Sequence, residues 1–282
     1  MPTANIRGVN LNYEILGSSG PWMALSPGGR RDMGQVKSLA QKMADHGYRV
    51  LIHDRRNCGL SDISIDPSLP EYEVWADDLY ALLQHFNAMP AIIGGGSSGC
   101  RLSLLFALKY PQAVTALLLY RVTGGKFAAT RLGHNYYGQF IAAAQQGGMA
   151  AVCALDHFKE RIAAKPSNRE KLMAMDPKWF IAAMESWKTA FDKGADLPVI
   201  GATEPELNSI KVPTIIIPGN DRTHNHASGE TAHRMIPGSE YHDLMPGDRD
   251  VDLVEMADWV DEKLMAATFA DFLRRHGQAK AA

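Results

Sequence analysis

The residues with the clearest chemical potential lie in the run Gly94-Gly95-Gly96-Ser97-Ser98-Gly99. Gly95-x-Ser97-x-Gly99 fits the pattern G-x-S-x-G in register. Ile92-Ile93 leads into it as a strand, and Arg101 to Tyr110 leaves it as a helix closed by Pro111. In a strand–turn–helix of this kind the serine sits at the apex in a strained backbone conformation, and its flanks accept only small side chains. The helix that follows points its N-terminus at the serine, where its dipole and free N–H groups favour a developing oxyanion. A register centred on Ser98 would need glycine at position 100, which is Cys100, and no Gly-Lys-Ser/Thr ending marks a phosphate loop. A second group is Asp221, His224 and His226. Their spacing could hold a divalent metal, but no supporting ligand shell is visible, and no metal is expected.

The elements around these residues alternate. Residues 5–16 read as a hairpin, and Pro21–Leu25 as a short buried strand ended by Ser26-Pro27-Gly28-Gly29-Arg30-Arg31. Asp32 reads as the cap of a helix to about His46 with Val36, Leu39, Ala40 and Met43 on one face. Tyr48–His53 is the next strand, followed by the turn Asp54–Asp62 and a helix from about Tyr72 to Phe86. Thr115–Tyr120 and Val212–Pro218 are further strands, the latter followed by a helix over about Ser228–Met235. A strand over Ser239–Met245 and a long helix to about His276 complete the pattern. From Gly124 to about Ser209 no strand is evident and helical stretches follow one another. The reading is α/β: a mostly parallel central sheet with helices on both faces and an inserted helical lid, with residues 1–123 and 210–282 as core and 124–209 as insertion.

Composition narrows the class. The chain has 282 residues, 46% hydrophobic and 21% charged, with a net charge of −2, which gives no argument for binding nucleic acid. No long apolar stretch predicts a membrane span, and the N-terminal residues lack a basic start followed by an apolar run. Three scattered cysteines, Cys58, Cys100 and Cys153, argue against a disulfide framework, and a reducing, cytoplasmic setting is the expectation. No organic cofactor is expected, because no G-x-G-x-x-G opens a first βα unit. The expected partner is a small-molecule substrate. Trp259, Leu264, Phe269, Phe272 and Leu273 on the last helix could form a homodimer face or pack on their own sheet.

The chain resembles the α/β-hydrolase superfamily over essentially its whole length. Gly95–Gly99 looks like its nucleophile elbow, and Asp54-Arg55-Arg56-Asn57-Cys58-Gly59-Leu60-Ser61 is similar to its D-x-R-G-x-G-x-S turn, with Asn57 in place of the first glycine. Ser26-Pro27-Gly28-Gly29 matches the oxyanion loop in position, with Pro27 where histidine usually stands. The resemblance implies Ser97 as nucleophile, oxyanion donors at the backbone N–H of Gly29 and Ser98, and Asp221 as the triad acid. The family's Gly-His after the last strand is missing: the loop reads Met245-Pro246-Gly247-Asp248-Arg249-Asp250-Val251-Asp252. Asp248 or Asp250 stands at that register. His224 beside Asp221, or His242 in the last strand, could replace the base, with His134 and His157 as outside candidates. Arg30 is a candidate for a substrate carboxylate, the bland alternative being that Arg30 and Arg31 are solvated. Tyr136 and Trp187, with Trp179, Tyr137 and Phe140, are candidates for a partly apolar pocket.

The implied activity is hydrolysis of an ester, lactone or related carbonyl bond through Ser97. Two alternatives follow from the missing histidine. One is cofactor-free C–C hydrolase, lyase or isomerase chemistry that uses the oxyanion site without a covalent serine. The other is a non-catalytic ligand-binding member of the fold.

Overall fold

The computed structural model describes residues 2–278. The chain opens with the hairpin β1 (Thr3–Ile6) and β2 (Val9–Leu16), joined by Arg7 and Gly8, both at positive φ. It continues through β3 (Trp22–Ser26), α1 (Gly34–Asp45), β4 (Arg49–His53), α2 (Glu71–His85), β5 (Ala91–Gly96), α3 (Ser98–Lys109) and β6 (Val114–Tyr120). Six helices follow without a strand that joins the sheet: α4 (Gly125–Gly133), α5 (Gln139–Ala154), α6 (Asp156–Ala164), α7 (Ser167–Met173), α8 (Pro177–Asp192) and α9 (Glu204–Ser209). The chain then resumes β7 (Thr214–Ile217), α10 (His226–Met235), β8 (Glu240–Tyr241), α11 (Met256–Trp259) and α12 (Glu262–Arg275).

The eight strands form one sheet in the order β1-β2-β4-β3-β5-β6-β7-β8. The pairings β1–β2 and β2–β4 are antiparallel and every other is parallel. The central strands are buried on both faces, so they read as apolar runs (Ile215-Ile216-Ile217, Leu117-Leu118-Leu119) rather than as alternation. One face packs Leu79, Leu82 and Leu83 of α2 and Leu104 and Phe106 of α3 against Ile93, Leu117 and Leu119. The other packs Val36, Leu39 and Met43 of α1 and Met265, Phe269 and Phe272 of α12 against Leu25, Ile52 and Leu118. The inserted helices share a third core with α2 and the start of α3, built on Tyr137, Phe140, Phe180, Trp187 and Phe191.

Two expectations need correction. The last strand is two residues, Glu240–Tyr241, not Ser239–Met245, because Asp243 turns the chain by accepting the Met245 N–H at 3.1 Å. The long C-terminal helix is two helices, with Val260 extended between them. Of the residues named for the last helix, Trp259, Phe269, Phe272 and Leu273 are buried in their own sheet's core and Leu264 is exposed.

Among the described residues, no helix is long and apolar enough to cross a membrane.

Candidate active site

Strand β5 ends in glycine because of what it touches. A Cβ on Gly95 would lie 2.6 Å from the Gly99 backbone, and a Cβ on Gly99 would lie 2.1 Å from the Ser26 carbonyl oxygen. The two glycines let strand and helix meet at a turn too tight for any side chain. Ser97 sits at its apex with φ 56° and ψ −115°, a left-handed conformation that a non-glycine residue adopts only at a cost of about 1–3 kcal/mol. The strain holds Oγ outward at the C-terminal edge of the sheet.

His224 meets it there. Its Nε2 lies 2.8 Å from Ser97 Oγ, and its Nδ1 lies 2.9 and 3.1 Å from the two carboxylate oxygens of Asp221. The arrangement fixes the tautomer by elimination: a carboxylate only accepts, so Nδ1 carries the proton and Nε2 offers its lone pair to the serine hydroxyl. Both residues come from the loop after β7. Asp221 Oδ1 accepts the backbone N–H of Thr223 at 3.0 Å and of His224 at 2.8 Å, which curls the loop and returns the imidazole to its own carboxylate. Asp221 Oδ2 accepts from Val254 N–H at 3.0 Å and Arg121 Nη2 at 2.7 Å. Arg121, at the end of β6 with φ 51°, also donates to the Val254 carbonyl at 2.6 Å and stacks over Trp259.

The electrostatics suit a neutral imidazole. Burial, then the Arg121 charge, push His224 down to about 4, although Asp221 pulls the other way. Burial alone would raise Asp221; the bonds from His224, Val254 and Arg121 outweigh it and hold the carboxyl well below the usual range. At neutral pH the pair is therefore carboxylate and free base.

The loop after β3 lies against the serine: a Cβ on Gly28 would come within 3.4 Å of Ser97 Cβ. Among the described residues, the backbone N–H groups of Gly29 and Ser98 carry no hydrogen bond. Arg55 holds this loop in place, donating to the Gly28 and Gly29 carbonyls at 3.2 and 2.7 Å and to Ser98 Oγ at 2.9 Å, with its guanidinium over the Trp75 ring. Tyr72 completes the support through its hydroxyl, 2.9 Å from Ser98 Oγ. Asp54 closes the turn beneath by accepting Met33 N–H at 2.7 Å, Leu60 N–H at 2.8 Å and Asn12 Nδ2 at 2.7 Å.

A cavity of about 680 Å³ opens above Ser97, between the strand ends and the inserted helices; Gly29, Tyr136, Phe140, Arg121 and His224 are among its lining. Tyr136, a sequence candidate for the pocket, lines this cavity. Trp187 does not: it is buried in the core of the inserted helices and its Nε1 donates to the Leu69 carbonyl at 2.9 Å. Arg30 lines the cavity but is neither solvated nor free for a substrate. It makes a two-pronged pair with Glu71 at 2.9 and 2.6 Å inside a ring of Trp75, Tyr136, Tyr137 and Phe140.

His242 and Asp248 point elsewhere. His242 pairs with Glu240 at 3.0 Å, and Asp248 accepts from His226 at 2.7 Å on the surface, so neither meets Ser97. His226 also reaches Asp243 at 3.2 Å, which takes it out of a cluster with Asp221 and His224. Arg121, Arg55, Tyr72 and Val254 escape the sequence reading. Arg121 alone carries a signal, as a charge ending the apolar run Leu117-Leu118-Leu119-Tyr120.

Comparison with known proteins agrees with this architecture. The profile of the family described as alpha/beta hydrolase fold matches residues 22–122. Uncharacterized hydrolase YraK of Bacillus subtilis is 29% identical over 116 residues, 41% of this chain and 42% of its own length. A proline iminopeptidase of Lactobacillus acidophilus is 24% identical over 254 residues, covering 83% of this chain and 86% of that protein. Among solved structures, the enol-lactonase from Burkholderia xenovorans LB400 superposes with a TM-score of 0.63 at 22% identity, over 97% of this chain and 100% of that one. Residues 22–122 thus match the alpha/beta hydrolase fold family, and the chain as a whole has the fold of the solved structure it superposes on.

Proposed function

We propose that the protein is a serine hydrolase that cleaves an ester, lactone or related carbonyl bond of a small, partly apolar substrate. Its catalytic group is Ser97, with His224 as base and Asp221 as the residue that orients and stabilises it. The observation that carries this reading is the 2.8 Å contact between His224 Nε2 and Ser97 Oγ. As Oγ attacks the carbonyl carbon, its proton passes to Nε2, and the imidazolium is stabilised by the Asp221 carboxylate. The oxyanion is received by the N–H groups of Gly29 and Ser98. The protonated His224 then hands its proton to the leaving oxygen, leaving an acyl group on Ser97. Water, deprotonated by His224, hydrolyses that ester and restores the serine. The relatives named hydrolase and iminopeptidase support bond hydrolysis as the class of reaction and leave the acyl group open.

The ground for non-covalent enolate chemistry, or for a merely ligand-binding member, is an absent imidazole, and the position of His224 weighs against it. The test is steady-state hydrolysis of a panel of short-chain esters and lactones. Turnover that falls by about 10⁴-fold or more in Ser97→Ala supports the reading; turnover retained in that variant overturns it.

A further inference from the structure

We propose that the cavity above Ser97 contains a carboxylate subsite at Arg131 and Arg161, so that the substrate carries a free carboxylate besides its scissile carbonyl. This deepens the proposed function and rests on it for the reaction, but not for the binding.

The argument is an inventory of charge. Of the buried arginines around the site, Arg55 and Arg101 meet no carboxylate and are not among the residues lining the cavity, and three are matched by carboxylates: Arg30 by Glu71, Arg121 by Asp221 and Arg56 by Asp78. Arg161 is not. It is buried and lines the cavity, yet its donors go only to carbonyls, Nε to Asn57 at 2.9 Å, Nη2 to Arg30 at 3.2 Å and Nη1 to His157. Carbonyls satisfy N–H groups but do not cancel the charge, and an uncompensated buried cation is costly. Arg131, on α4, is half-buried and lines the same cavity. Among the described residues its side chain has no hydrogen bond or ion pair, although its charge reaches His224 and lowers that ring's pKa. His157 adds a third group, a ring in the cavity wall whose buried Nε2 has no partner among the described residues.

The lining acids offset these charges only in part, Glu160 and Asp54 both favouring the Arg161 cation. Asp54 is spent on the turn beneath the serine, Glu14 pairs with Lys37 at 2.8 Å, and Glu255 faces Arg31. Asp32, Asp156 and Glu160 are exposed, where water screens them. Although the lining holds as many acids as bases, Arg161 meets no carboxylate in its buried wall, and a cation on a low-dielectric wall concentrates anions. The carbonyls crowding Arg161 favour a singly charged carboxylate over a phosphoryl group, whose larger charge they would repel more strongly.

The test compares monomethyl glutarate with methyl pentanoate, matched in chain length and differing in the free carboxylate, at pH 7.5 where His224 is a free base in either protein. The wild type is expected to favour the anionic ester in kcat/KM by about tenfold or more, the range of a charge-assisted hydrogen bond. Arg131→Gln is the variant of choice, because its side chain holds nothing in the fold. It should cut that preference by about tenfold, and Arg131→Lys should restore part of it. Equal kcat/KM for the two esters, or a preference unchanged in Arg131→Gln, overturns the subsite and leaves the hydrolase reading intact. If neither ester turns over, the hydrolase reading fails and titration calorimetry with glutarate decides the subsite. Binding weakened in Arg131→Gln supports it, and no binding by the wild type overturns it.

Discussion

Asp221 Oδ1 accepts two bonds from one residue, the backbone N–H of His224 at 2.8 Å and its ring Nδ1 at 2.9 Å. The carboxylate thus caps the turn that carries the proposed base and orients its ring. Replacing it with an amide keeps the shape and reverses the logic, because only one of the two amide heavy atoms still accepts a proton from Nδ1. Asp221→Asn is expected to lower kcat about 10⁴-fold, as the wrong imidazole tautomer does in the serine-protease template, and to lower Tm, since Arg121 loses its buried counter-charge. Ester kinetics beside thermal melts of the same variant check both.

His224 governs the acid side of the pH profile. A free base is needed, so kcat/KM rises with pH through the ring's pKa, and the acid limb should fall near pH 4 rather than near the ordinary histidine value. Arg121→Gln removes a cation that disfavours the imidazolium while Asp221 stays ionised. The limb must then move to higher pH, and a limb unmoved in that variant would show that Arg121 does not set the base.

Stability should follow pH with the same sign. His224 is pushed down to about 4 by burial and the Arg121 charge, and His53, buried with neither ring nitrogen bonded among the described residues, is pushed down to about 3 by burial and the Arg55 charge. Both are lower folded than unfolded, so the unfolded chain binds more protons below about pH 6.5. Stability is fully present above that value and is lost as pH falls toward 4 and then 3. Urea midpoints measured from pH 7.5 to 4 should decline steadily, and His53→Gln should flatten the lower part of the curve.

Glu71→Ala tests the ion pair beside the cavity. Arg30 and Glu71 are both buried, and Glu71 also accepts from Tyr137 at 3.2 Å. Removing the acid strands a guanidinium among four rings and should cost about 3–5 kcal/mol. Arg30→Met with Glu71→Leu, which removes both charges, should recover most of that loss in denaturant melts.

How much of this is legible in the chain depends on the range of the contact. The elbow is, because Gly95, Ser97 and Gly99 encode a close approach between adjacent elements that no other residues allow. The α/β layering of the core follows from alternation of apolar runs with helical faces. The base is legible only as a choice. His224 stands beside Asp221, but picking it over His242 or Asp250 requires knowing that Asp221 caps its own loop and that the last strand stops at Tyr241. Arg30 with Glu71, Arg55 with Gly28 and Gly29, and Arg121 with Asp221 join residues 26 to 100 positions apart. Periodicity says which face a residue takes, not which distant polar group it meets. Trp187 shows the same gap, since an aromatic on a helical face gives no sign of whether core or cavity receives it.

The central claim is that Ser97 is made nucleophilic by His224. Intact-protein mass spectrometry after incubation with a fluorophosphonate tests it most directly. A single adduct on the wild type, absent from Ser97→Ala and formed far more slowly by His224→Ala, is the predicted result. No adduct on the wild type between pH 6 and 9, or labelling at the same rate in His224→Ala, would contradict it.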